Sequence, residues 1–126
     1  MSATSPCRFT PLAVALAGAS AVVCGAFGAH ALSARLDPQQ MAIWHTAVSY
    51  HFWHVLAMAL AAIGCRGRAR RWAVQLLLAG IVLFSGSLYA LALGAPHWIG
   101  IITPFGGLAF IAGWVVLGLG LRQPPD

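Results

Sequence analysis

Apolar residues run along this chain in four long stretches, at residues 11–32, 38–64, 72–93 and 104–121, separated by short polar breaks. A helix crossing the hydrocarbon core of a bilayer needs about 20 mainly apolar residues, which each stretch supplies or approaches. No strand-like alternation of apolar and polar positions appears in any of them, which disfavours a barrel. Short connections make neighbouring helices antiparallel. The pattern therefore predicts an all-α, integral membrane, four-helix up-down bundle, forming a single domain over residues 1–126.

Three stretches open on the same signal. Thr10-Pro11, Asp37-Pro38 and Thr103-Pro104 each set a side-chain oxygen before a proline. The oxygen accepts an orphan N–H and proline has none to offer, so each pair predicts a first helical turn. Gln40, three residues after Asp37, predicts a capping box. Arg8, an apolar core and Ala29-His30-Ala31 also mimic a cleavable signal peptide, but the apolar stretch is longer than the roughly 7–15 residues of a signal core.

Small residues recur at helical spacing. The first stretch carries Ala13, Ala17, Ala21, Gly25 and Ala29, with Ser20, Cys24 and Gly28 as a second stripe. The third carries Ala73, Gly80, Ser87 and Gly94, and the fourth Gly106, Gly113 and Gly120. Lipid provides no hydrophobic drive between helices, so stripes of this kind predict close backbone packing. A loose internal echo joins Phe27-Gly28 to Phe84-Ser85-Gly86.

Composition agrees. Hydrophobic residues make up 60% of the chain and charged residues 7%, where soluble domains carry roughly 25% charged residues. The net charge of +5 reflects two acids against seven arginines, not a broad basic face, so nucleic acid is excluded as a partner. Arg66, Arg68, Arg70 and Arg71 gather between the second and third stretches. Positive loops stay cytoplasmic, which predicts both termini inside and assigns this run to topology and lipid head groups. Cys7, Cys24 and Cys65 show no paired spacing, so neither a disulfide nor a thiolate metal site is implied.

Counted from the breaks, the polar residues of the four stretches fall at one depth, in the predicted outer half. They are His30, Trp44, His45, Thr46, Ser49, Tyr50, His51, Ser85, Ser87, Tyr89 and Thr103, with Gly25 and Gly28 alongside. His54 lies deeper, one turn from His51 and predicted on the same face. An ionisable side chain at that depth faces the bundle interior and needs a partner. Ser85, Ser87 and Tyr89 are the predicted partners. The same imidazole could instead serve haem or a quinone, or with Met58 a copper(I) ion. No acid lies within an apolar stretch to carry coupled protons, no acid attends the serines, and the glycines form no phosphate cradle.

The segments Gly25-Ala26-Phe27-Gly28-Ala29-His30-Ala31-Leu32, Trp44 with Thr46, Tyr50 and His54, Leu83 to Tyr89, Thr103-Pro104-Phe105-Gly106-Gly107 and Ala112-Gly113-Trp114 follow one another across all four stretches. In these segments the chain resembles the domain of unknown function 423 family, which includes the vertebrate transmembrane protein 256. The resemblance implies a small four-span protein of the bacterial inner (plasma) membrane and brings no activity, substrate or cofactor. One departure is His51, where the family pattern carries glutamine. The expectation is a structural or accessory subunit, not an enzyme, without a resident metal. Its partners would be lipid and either a larger membrane complex or a second copy. The alternatives are a binder of quinone or haem through His54, and a small-solute carrier.

Overall fold

A computed structural model describes residues 6–122. The chain forms α1 (Pro6–Phe27), α2 (Pro38–Gly64), α3 (Gly67–Gly80), α4 (Gly86–Ala92) and α5 (Ile102–Leu121). A π turn at Gly28–Leu32 extends α1, another at Ile81–Ser85 joins α3 to α4, and a 3₁₀ turn at His97–Ile101 leads into α5. Four continuous rods result, Arg8–Leu32, Pro38–Gly64, Gly67–Ala92 and His97–Leu121, each long and apolar enough to cross a membrane. No strand occurs among the described residues.

Of the three proline-marked starts, only one is a helix start. Asp37 Oδ1 accepts from the Gln40 amide at 2.8 Å, and the Gln40 side chain accepts from the Asp37 amide at 3.0 Å, closing the capping box. Pro11 lies inside α1, which begins a turn earlier. Thr103 and Pro104 likewise sit within a helix already under way from His97. Proline is tolerated in a first turn because no partner awaits its missing N–H there, so the residue marks only the neighbourhood of a helix end. The third rod also starts earlier than residue 72. Gly67 takes a positive φ of 54° to turn the chain, and Arg68, Arg70 and Arg71 then ride on the first turns of α3 rather than in a loop.

The rods are not arranged as a closed square. Spans two and three form the central pair, and span four packs on both. Span one lies along span two with a smaller contact to span three, and among the described residues it does not touch span four. Small residues set these distances. A Cβ on Gly106 would collide with the Phe84 backbone, and one on Gly113 would stand 2.8 Å from Leu77. At Gly120 the obstacle is the Cys65 sulfur, 2.7 Å away. Gly80 receives the Phe110 ring in the space a side chain would need. The core is thin, built from Ala17, Ala61, Met58, Leu77, Phe110 and Leu117, while Leu16, Val23, Leu56, Leu108 and Val115 point outward all round. Outward apolar side chains on every helix suit a lipid solvent, whereas a soluble bundle confines them to one stripe.

Candidate functional site: a polar layer across three helix contacts

His51 stands at the midpoint of α2 and is buried. Its Nε2 lies 3.0 Å from the Ala17 carbonyl and 3.2 Å from the Ser20 hydroxyl; its Nδ1 lies 2.9 Å from the Tyr89 hydroxyl. A carbonyl can only accept, so Nε2 carries the hydrogen and Nδ1 accepts from Tyr89. Ser20 donates to the same Ala17 carbonyl at 2.9 Å, which turns its lone pairs toward Nε2–H. One neutral ring thus ties spans one, two and three. Tyr89 sits well along span three yet reaches back to mid-span, because helical side chains lean toward the helix N-terminus.

Two turns nearer the capped end, Trp44 repeats the device. Its Nε1 donates to the Cys24 carbonyl at 3.0 Å, and its ring occupies the space that a side chain on Gly28 would need. The ring tilts against Tyr89 with centroids 4.6 Å apart. Trp44, His51 and Met58, seven residues apart, are all buried along this face.

Span four is joined by separate contacts. Ser85, fully buried in the π turn, donates to the Ala47 carbonyl at 2.8 Å and links spans three and two. Ser87 donates to the Phe84 carbonyl at 2.9 Å, so the 2.5 Å contact with Thr103 is a donation from Thr103. His54 turns away from all three predicted partners. Its Nδ1–H donates to the Tyr50 carbonyl at 2.6 Å, within its own helix, and its ring stacks on Phe110 at 3.5 Å and 12°. Tyr50, Phe84 and Trp114 complete an aromatic cluster around it. Three residues of helix rotate a side chain by about 60° from its predecessor's direction, and that difference sends His51 to spans one and three and His54 to span four.

The layer is smaller than the sequence pattern implied. His30, in the π turn of span one, is exposed, as are His45 and Thr46. A Cβ on Gly25 would meet only the Val48 side chain, at an ordinary packing distance of 3.5 Å. His51 is central in α2, and His54 lies deeper, on the arginine side of centre. Ser20, Phe84, Phe110 and Trp114 are members the polar pattern did not single out. Ser20 carried a signal, as the one hydroxyl of the first apolar stretch's small stripes. Phe84 and Trp114 lay in the segments that carry the family resemblance, but as apolar residues they did not point to a polar site, and Phe110 carried no signal at all.

Among the described residues no buried side-chain nitrogen or oxygen lacks a partner, and no three of His, Cys, Asp and Glu gather as a metal site. Two grooves open sideways from the bundle. One of about 710 Å³ runs between spans one and three, walled by Leu12, Leu16, Leu78 and Val82 with Ser20, His51 and Tyr89 at its floor. The other, of about 670 Å³, lies between spans one and two at the arginine end. Outside the groove, at the same end of the bundle, Cys65 is buried against span four, and burial pushes its thiol up against the opposing pull of the Arg70 guanidinium.

The family model described as protein of unknown function (DUF423) matches residues 24–107. A UPF0382 membrane protein of Staphylococcus haemolyticus is 46% identical over 95 residues, covering 74% of this chain and 78% of its own. The UPF0382 membrane protein YwdK of Bacillus subtilis is 42% identical, covering 77% and 82%. The UPF0382 inner membrane protein YgdD of Escherichia coli K12 is 38% identical over 116 residues, covering 90% and 88%. No solved structure matches.

Proposed function

The chain belongs to this family of small membrane proteins, and from that premise we propose that it is a non-enzymatic accessory subunit of the inner membrane. It is a rigid four-span bundle that seats a partner transmembrane helix in the groove between spans one and three. The observation that carries this reading is the His51 clamp. A mid-span imidazole is costly in lipid unless its hydrogen bonds are made. Here both nitrogens are engaged by partners on the two neighbouring helices, which suits a fixed scaffold better than a ligand site. His54 supports the same reading, because its N–H goes to Tyr50 and its ring is held against Phe110. The arginine end is cytoplasmic by the positive-inside rule.

Site-specific photo-crosslinking in native membranes tests this. A photoreactive residue at Val82, on the groove wall, gives a discrete protein adduct, and one at Leu108, exposed on span four, does not. Equal adducts at both positions would contradict the proposal. So would a Soret band or stoichiometric quinone in protein purified in mild detergent, which would point to a redox ligand.

A further inference from the structure

The groove at the arginine end differs in chemistry from the one that seats the partner helix. Its walls are Pro11, Val14 and Ala15 of span one and Ala59, Ala62 and Ile63 of span two. Its mouth carries Thr10, Arg70 and Arg71. The positive φ of Gly67 reverses the chain immediately after α2, so the first turns of α3 lay both arginines beside the last turn of span two. The chain has only two acids. Asp37 caps the opposite end of α2, a whole span away, and Asp126 lies outside the described residues. Two guanidinium groups therefore stand at the end of an apolar trough with no acid of the described residues near them. An apolar trough closed by a cationic head is the complement of an anionic amphiphile.

We propose that this groove is a binding site for one anionic phospholipid, whose phosphate is held by Arg70 and Arg71 and whose acyl chain lies along Ala15, Ala59 and Ala62. Arginine presents a planar fork of donors that matches phosphate oxygens, and a phosphate can bridge two of them. The alanines leave the trough deep enough for a methylene chain. Neither feature depends on the partner helix, which sits on the other side of span one. Thr10 adds a hydroxyl at head-group level.

Native mass spectrometry of the full chain in neutral detergent, with added phosphatidylglycerol or phosphatidylcholine, tests the proposal. The wild-type chain retains one phosphatidylglycerol and releases phosphatidylcholine. A surface arginine contributes roughly five-fold to anionic-lipid retention, so R70Q/R71Q lowers it about twenty-five-fold. R68Q, at an exposed arginine outside the groove, changes retention less than two-fold. Ala15→Trp fills the trough without touching the charges and also abolishes retention, while circular dichroism reports the fold of each variant. Inorganic phosphate at millimolar concentration does not displace the lipid. Equal retention of the two lipids, an equal loss in R68Q, an unaffected Ala15→Trp or displacement by phosphate would each overturn the proposal.

Discussion

A glutamine amide offers one donor and one acceptor on neighbouring atoms, as neutral imidazole does. His51→Gln therefore keeps the donation to Ala17 and the acceptance from Tyr89. His51→Leu removes both and leaves the Tyr89 hydroxyl without its partner. The expected loss is about 1 to 2 kcal/mol of bundle stability, from the usual worth of interhelical hydrogen bonds in membranes. Denaturation in mixed micelles checks this, with His51→Gln within about 0.5 kcal/mol of wild type on the same scale. His54 behaves differently because its bond stays inside its own helix and its ring packs as an aromatic. His54→Phe preserves the stack on Phe110 and melts within a few degrees of wild type, whereas His54→Ala forfeits a stacking contact of about 1 kcal/mol. These two histidines also show what sequence can and cannot resolve. That both would be buried was legible from their depth in an apolar stretch. Which neighbour each would meet was not, because that depends on helix rotation, and three residues of offset separate the two directions by about 60°.

Helix contacts in this bundle depend on residues with no side chain to spare. Gly106 lies against the Phe84 backbone, so Gly106→Ala forces spans three and four apart and costs about 1 to 3 kcal/mol, as overpacking does. Gly118 has nothing within contact distance of a Cβ, and Gly118→Ala leaves stability unchanged or slightly raised. Comparing the two variants by thermal unfolding in detergent isolates the packing effect from helix propensity. At the other end of the second rod, Asp37→Ala removes the capping box and costs about 1 kcal/mol, seen as faster amide exchange in the first turn of α2. The glycine stripe of the fourth stretch was readable as a packing face from its seven-residue spacing. The false starts at Pro11 and Pro104 have a plain cause. A proline fits the first turn of a helix, but a helix can begin ahead of it where 3₁₀ or further helical residues extend the rod, as His97–Ile101 does. Neither π turn was legible in the sequence, although both fall at the Phe-Gly and Phe-Ser-Gly echo between the first and third stretches.

Taken whole, the molecule is a central pair of spans with one helix on each flank. That shape explains the division of its polar groups. Span one is held to the pair by His51, Ser20 and Trp44, and span four by Thr103 and the aromatic cluster around His54. The four spans follow from the length and apolarity of the stretches and their antiparallel order from the short connections, which is why both could be read directly. Which spans form the central pair could not, since every rod also carries apolar side chains outward and the small-residue stripes do not say which neighbour each should choose. The partition of charge supplies the remaining constraint, with Arg68, Arg70 and Arg71 at one end of the bundle and the Asp37 cap at the other. The most direct test of the central claim is single-cysteine accessibility in intact cells, in a chain whose Cys7, Cys24 and Cys65 have been replaced by alanine. Cysteines at Ser33 and Ala95 react with a membrane-impermeant maleimide added outside, and cysteines at Arg68 and Gln123 react only after the membrane is opened. Labelling of Arg68 or Gln123 from outside, or protection of either Ser33 or Ala95, would contradict a four-crossing bundle with its arginine end in the cytoplasm.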